Sequence, residues 1–279
     1  MLDLTSDYVI ANGIRLHYYR TGGNKPVLVL VHGITDDGLC WSTLAEVLAD
    51  QYDLIMVDMR GHGLSEAPED GYNYGNMAAE LAGLCQALNL EKPILLGHSM
   101  GATVTLLLAG LYPDLPRAIL LEDPPAFWRI GQPDLKSSDS RKDLENWVAS
   151  NKRKTQAELL AELHTNNPGW QSSEWEPWVN AKQRYSPRIT GLVHPQDIKS
   201  LNFPELLKRV TCPVIFISAE QKLGAASGTE DISNLKELLP HLRVIPVDGA
   251  GHNIRRDQFE RYLEIVEQVL MAFQGYSIC

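Results

Sequence analysis

The stretch PILLGHSMGATVTLLLAGLY, residues 93–112, sets two kinds of local order back to back. Pro93 to Ser99 is a short apolar run with no polar alternation, which fits a strand buried on both faces of a sheet. Gly101 to Tyr112 continues apolar at helical length. Between them lies Gly97-His98-Ser99-Met100-Gly101, a serine bracketed by two glycines. A chain that passes from strand to helix in so few residues brings backbone against backbone, so both flanks need residues without bulky side chains. The turn leaves the Ser99 hydroxyl proud of the sheet at a helix N-terminus, whose amides favour developing negative charge.

Outward from this turn the same rhythm repeats. Ile14 to Arg20 and Pro26 to Gly33 read as strands, Trp41 to Asp50 as a helix, Tyr52 to Gly63 as a strand breaking at glycines, and Met77 to Leu88 as an amphipathic helix. Arg117 to Glu122 is a further buried strand. After Glu122 the pattern changes to a polar, helical and tryptophan-rich region with the soft stretch Gly131 to Asp143 early in it. Strands return at Cys212 to Ser218 and Arg243 to His252, separated by a helix near Ile232 to Leu239 and followed by one from Gln258 to Phe273. Alternating strands and helices predict a mostly parallel sheet covered on both faces. The expected organisation is a core of residues 1–123 and 208–279, with residues 124–207 inserted as a helical cap.

Composition bounds the function. The chain has 279 residues, 44% of them hydrophobic and 22% charged, enough for a substantial core. A formal net charge of −10 offers no basic field to displace phosphate counterions, so no nucleic-acid partner is expected. Cys40, Cys85, Cys212 and Cys279 are far apart and lack metal or disulfide-framework spacing, so reduced thiols are expected. No signal-like start and no run of transmembrane length is present, which points to a cytoplasmic protein without a membrane partner.

A serine hydroxyl attacks only when a base takes its proton. The sequence GAGHNI offers His252, after the last buried strand and so at the same sheet edge as Ser99. An oxyanion hole requires backbone donors aimed at the developing charge. The Met100 amide supplies one, and Ile34, in the HGIT turn that Gly33 allows to approach, supplies the other. His32 and His62 sit in VHG and RGHG settings that read as turn architecture rather than as metal ligands, and no metal or cofactor is expected.

With LVHGI, VDMRGHGLS, GHSMGA and GAGH in that order over nearly the whole chain, the sequence resembles the α/β-hydrolase family. The resemblance implies an eight-stranded sheet, a cap between strands six and seven, and a triad in the order Ser, acid, His. One departure stands out. Where most members carry an Asp after the seventh strand, this chain reads Ala219-Glu220-Gln221-Lys222, and a lysine cannot orient or stabilise an imidazolium. The alternative acid position at the end of strand six, as in some haloalkane dehalogenases, zearalenone lactonase and the cofactor-free quinoline dioxygenases, points first to Glu122, with Asp123 and Glu220 as the other candidates.

Five tryptophans, Trp128, Trp147, Trp170, Trp175 and Trp178, fall in the inserted region. Most are expected to form its own core, with Phe127 and Trp128 as the candidates for lining an apolar substrate pocket. The resulting expectation is a serine hydrolase (Ser99, His252, Glu122; oxyanion amides of Ile34 and Met100) acting on small apolar esters or lactones. Two other readings remain open: cofactor-free oxygenation of an N-heteroaromatic substrate, and a ligand-binding receptor on the same fold.

Overall fold

The structure, a computed structural model, describes residues 2–128, 138–193, 198 and 200–274. Eight strands form one sheet in the order β1-β2-β4-β3-β5-β6-β7-β8. They are β1 Thr5–Ala11, β2 Ile14–Arg20, β3 Val27–Val31, β4 Asp53–Val57, β5 Ile94–His98, β6 Ala118–Glu122, β7 Val214–Ser218 and β8 Leu242–Pro246. β2 pairs antiparallel with both β1 and β4, and every pair from β4 through β8 is parallel. β1 has no counterpart in the sequence reading because it is an exposed edge strand whose side chains are mostly solvated, so it lacks an apolar run.

Strand alternation divides the core into two layers. Leu28, Leu30, Ile94, Leu96 and Leu120 face the layer closed by helix α1 (Ser42–Leu48) and helix Phe259–Gln274, where Tyr262, Ile265 and Leu270 are buried. Val29, Val31, Leu95, Ile119 and Leu121 face the opposite layer, closed by α2 (Tyr74–Ala87) and α3 (Met100–Leu111). Because β3 to β7 are covered on both sides, nearly every residue in them is apolar; each fully buried Leu, Ile or Val contributes about 1.5–3 kcal/mol relative to exposure. The Asn73 side chain caps α2 by accepting from the Asn76 amide at 2.8 Å, placing the helix start a turn earlier than the apolar periodicity alone.

Between β6 and β7 the chain forms the helices α4 (Ser138–Arg153), α5 (Gln156–Asn166) and α6 (Trp175–Arg184), and a short helix Phe203–Leu207. Residues 131–137 of the soft stretch lie outside the described residues. Cys40, Cys85 and Cys212 are buried and unbridged, and Cys279 lies outside the described residues. Among the described residues no helix is long and apolar enough to cross a membrane.

Candidate active site

The turn at Ser99 is as tight as its glycines require. A Cβ on Gly97 would lie 2.4 Å from the Gly101 carbonyl oxygen, and one on Gly101 would lie 2.2 Å from that of Val31. Ser99 itself adopts φ 52° and ψ −113°, a strained conformation for a residue with a side chain. Its amide donates to the Glu122 carbonyl at 2.9 Å, which ties the turn to the end of β6. The side chain presents Oγ to His252 Nε2 at 2.9 Å.

The other ring nitrogen of His252, Nδ1, is 2.7 Å from Asp123 Oδ2. The carboxylate against the imidazole is therefore Asp123 and not Glu122, a correction that follows from register and alternation. β5 and β6 pair His98 with Glu122, so the residue level with Ser99 is Asp123, one step beyond the strand. Glu122 shares the face of Leu120, and its carboxylate accepts from the Arg255 amide at 3.1 Å, from Arg255 Nη1 at 3.4 Å and from the Tyr262 hydroxyl at 3.1 Å. Burial pushes the Glu122 carboxyl up, with the Arg255 charge opposing. Asp123 leaves the strand at φ 41°, which swings its side chain across the sheet edge. There the amides of Ala226 and Ser227 donate to it at 2.7 and 3.2 Å, so it is buried but fully engaged. Glu220 stands apart, accepting from the Gly249 amide at 2.6 Å and pairing with exposed Lys222 at 2.6 Å.

On the far side of Ser99 lies the loop Gly33 to Asp37. A Cβ on Gly33 would meet Ser99 Cβ at 3.6 Å and His98 Nδ1 at 2.8 Å, so this glycine is what lets the loop come up to the serine. Met100 opens α3, placing its amide at the free N-terminal end of the helix. His98, beside the serine, donates from Nε2 to the His252 carbonyl at 2.9 Å, holding the loop that carries the histidine. Burial, reinforced by the Arg255 charge, keeps the His98 imidazole well below its usual range and hence neutral. His32 and His62 act in the turns: His32 Nε2 accepts from the Met59 amide at 3.0 Å, and His62 Nε2 lies 2.7 Å from the Ile34 carbonyl oxygen. No group of three metal-ligating side chains occurs among the described residues.

A cavity of about 360 Å³ opens over Ser99 and His252. Its walls come from the Ile34 loop and from the helical insertion, with Trp147, Asn166, Trp170, Trp178 and Lys182 among them, and Arg256 from the core. Phe127 and Trp128, the residues expected to line a pocket, do not reach this cavity. Trp128 is buried in the core, edge-on to Phe216, with Nε1 donating to the Asp231 carbonyl at 2.8 Å. Phe127 packs with its ring tilted against those of Tyr74 and Phe203. The polar groups of the cavity were invisible in sequence because α6, WEPWVNAKQR, reads as a solvated helix. In the structure Lys182 and Arg256 are buried, gathered with Arg255 around Asp36. Burial alone would raise the Asp36 carboxyl, but these three cations outweigh it and hold it well below the usual carboxylate range.

Fold and site together define the class: residues 26–255 match the family described as alpha/beta hydrolase fold, and the chain belongs to the α/β-hydrolase family. Among its relatives is the N-formylmaleamate deformylase of Pseudomonas putida, 31% identical over 259 residues that cover 91% of this chain and 92% of that protein. The 2-(acetamidomethylene)succinate hydrolase of Mesorhizobium japonicum is 28% identical, covering 97% of this chain and 98% of its own length. A crystal structure of E-2-(acetamidomethylene)succinate hydrolase superposes with a TM-score of 0.78 at 24% identity, over 96% of this chain and 99% of that one.

Proposed function

We propose that this chain is a serine hydrolase that cleaves an acyl bond through a covalent intermediate, with the triad Ser99, His252 and Asp123. The observation that carries the reading is the continuous hydrogen-bonded line from Asp123 through His252 to Ser99, at 2.7 and 2.9 Å. Ser99 Oγ attacks the substrate carbonyl carbon as its proton passes to His252 Nε2, while Asp123 holds the tautomer and stabilises the imidazolium. The Ile34 and Met100 amides receive the oxyanion. His252 returns the proton to the departing nitrogen or oxygen. Water then attacks the acyl-enzyme, gives its proton to the same imidazole, and restores Ser99. Residues 124–207 act as the cap that closes the cavity and limits water.

For the substrate we infer a small acyl compound that carries a carboxylate. The cavity wall carries amides, indoles and the buried cations Lys182 and Arg256 beside the carboxylates Asp36 and Glu162, with Ile34 and Leu163 as its aliphatic side chains. Asp36 is already paired with the cations, and this polar lining favours a charged substrate over the simple apolar ester expected from sequence. Arg256 directs Nε to Glu174 and Nη1 to Asp36 and Asn253, leaving its remaining nitrogen without a hydrogen-bond partner. Asn166 and Asn167 add amide donors to the wall. Two relatives whose names specify N-formyl and acetamido compounds of dicarboxylic acids point to the C–N bond as the one cleaved. Esters and lactones are the second reading, since the same triad and oxyanion hole serve either leaving group.

The test is a panel of N-formyl and N-acetyl enamides with and without a carboxylate, beside p-nitrophenyl acetate, each run with Ser99→Ala as the blank. Serine-dependent release of formate or acetate, faster for the carboxylate-bearing members, is expected. Turnover of the ester alone would move the assignment to the second reading. Oxygen uptake without acyl release would abandon hydrolysis altogether.

A further inference from the structure

The loop that brings Ile34 to Ser99 is held through its carbonyl groups. Gly33 O accepts from the Asp36 amide at 3.0 Å and from His32 Nδ1 at 2.8 Å, and Ile34 O faces His62 Nε2 at 2.7 Å. The next carbonyl, Thr35 O, is taken by a residue from an entirely different part of the chain. Lys182 Nζ, on α6, lies 2.8 Å from Thr35 O, 3.1 Å from Thr35 Oγ1 and 3.3 Å from Asp36 Oδ1. Those three partners use the three protons of the ammonium group. The side chain is 2% exposed, and its charge sits 4.6 Å from the Trp178 ring centroid and 5.7 Å from that of Trp147.

An ammonium buried this deeply is costly unless every proton is engaged and an anion lies close. Asp36 supplies the anion; Arg255 and Arg256 share its other oxygen but also pair with buried Glu122 and Glu174, so Lys182 is the third cation against three buried carboxylates. Charge balance accounts for a cation here but not for its position, which is set by the two bonds to Thr35. The insertion has other ties to the core: Glu174 to Arg256, Arg184 to Asp37, Ser173 to Thr43 and Trp170 to Asp257. Those four ties end on side chains, whereas Lys182 takes hold of the backbone of the Gly33 to Asp37 loop.

We propose that Lys182 is a positioning residue of the oxyanion hole: by anchoring Thr35 and Asp36 it fixes the peptide that precedes them, so that the Ile34 amide is aimed at the oxyanion only while the insertion is docked. The inference rests on the reading of Ser99 as nucleophile and of Ile34 as oxyanion donor. It makes cap docking and transition-state stabilisation one event, and it assigns Lys182 to orientation rather than to substrate binding, since no proton of its ammonium group is left for a ligand.

The test compares Lys182→Met and Lys182→Ala with the intact protein, using p-nitrophenyl acetate for turnover and a p-nitrophenyl alkylphosphonate for stoichiometric labelling of Ser99, read by intact mass. Phosphonylation needs the nucleophile and the oxyanion donors but no complete turnover. The expected result for Lys182→Met is a loss of about 10- to 100-fold in kcat with KM within about threefold, and a parallel loss in the phosphonylation rate. Added ethylammonium should restore part of the Lys182→Ala rate, which repair of a general folding defect would not do. A raised KM with kcat unchanged would make Lys182 a substrate-binding group and overturn the proposal, as would unchanged kinetics. If neither lysine variant folds, Thr35→Val, which removes one of the three partners, must lower kcat and the labelling rate together; no change in either refutes the idea. Absence of Ser99 labelling in the intact protein would instead defeat the nucleophile assignment, and this inference with it.

Discussion

Asp123→Asn and Glu122→Gln separate two neighbouring carboxylates with opposite duties. Asp123 Oδ2 accepts both from the Ala226 amide and from His252, while Oδ1 accepts from the Ser227 amide at 3.2 Å. An asparagine that keeps its oxygen at the Oδ2 position retains the histidine tautomer and sets its NH2 against the Ser227 N–H. What it loses is the negative charge beside the imidazolium of the transition state. With charge centres about 4 Å apart and an effective dielectric near 20, that charge is worth roughly 4 kcal/mol, or about 10³ in kcat. Glu122→Gln leaves the triad intact but removes a charge partner of buried Arg255, which retains Asp36. It should lower stability by about 2–4 kcal/mol and kcat by less than about tenfold. Kinetics on the preferred acyl substrate together with urea unfolding of both variants give the comparison. A thousandfold loss in Glu122→Gln with a mild effect in Asp123→Asn would show that the register argument placing Asp123 level with Ser99 is mistaken.

Three further outcomes follow from the geometry. Ser99→Gly should be inactive and yet more resistant to thermal unfolding than Ser99→Ala by about 1 kcal/mol, because glycine tolerates φ 52° and alanine does not; equal melting would argue against strain at the turn. Trp128→Phe should lose about 1–3 kcal/mol, through the missing bond to the Asp231 carbonyl and the smaller ring, while KM stays within about twofold; a large KM change would return Trp128 to the substrate pocket. The buried histidines set a pH dependence of stability. Burial, reinforced by the neighbouring His62, lowers His32 from 6.5 to about 3, so the unfolded chain takes up a proton that the folded chain refuses. Its contribution is fully present above pH 6.5 and is lost as the pH falls from there toward 3, at about 1.4 kcal/mol per unit, with His98 and His62 shifted in the same direction. Burial pushes the Asp37 carboxyl up to about 7, which adds stability as the pH falls through the same window. The histidines are therefore read in Asp37→Asn: its urea midpoint should drop between pH 7.5 and 5.5, and a flat profile there would contradict neutral burial.

The sheet core and the Ser99 turn were legible because both are written locally. Apolar runs such as VLVLV and ILLGH need both faces covered, and Gly97 and Gly101 announce a close approach of backbones within five residues. His252 followed from the same logic, since parallel strands deliver their C-terminal ends to one edge. Glu122 and Asp123 mark the limit of that reading. Which one meets His252 depends on the pairing of His98 with Glu122 and on the positive φ of Asp123, and neither is encoded in the apolar pattern of AILLE. The walls of the cavity were harder still. Lys182 and Arg256 belong to segments whose local composition is that of a solvated surface, and only docking of the insertion buries them. Trp128 erred in the opposite direction, because an indole just past a strand can turn into the core as readily as into a pocket.

The ionic assembly around Asp36 has a consequence for the order in which the molecule is built. Its members come from the β3 turn, the end of β6, the insertion and the segment after His252, and the Asp36–Arg256 pair alone spans 220 residues of sequence. Until Arg255 and Arg256 arrive, Asp36, Glu122 and Glu174 lack the guanidinium partners that make their burial tolerable, so each stays hydrated in any partly formed chain. Closing so long a loop comes late in folding. The layer closed by α2 and α3 can condense first, whereas the layer closed by helix Phe259–Gln274 forms together with the edge that carries Ser99, because Arg255 and Arg256 lie just ahead of that helix. Charge-removing substitutions in this assembly should accordingly speed unfolding far more than they slow refolding.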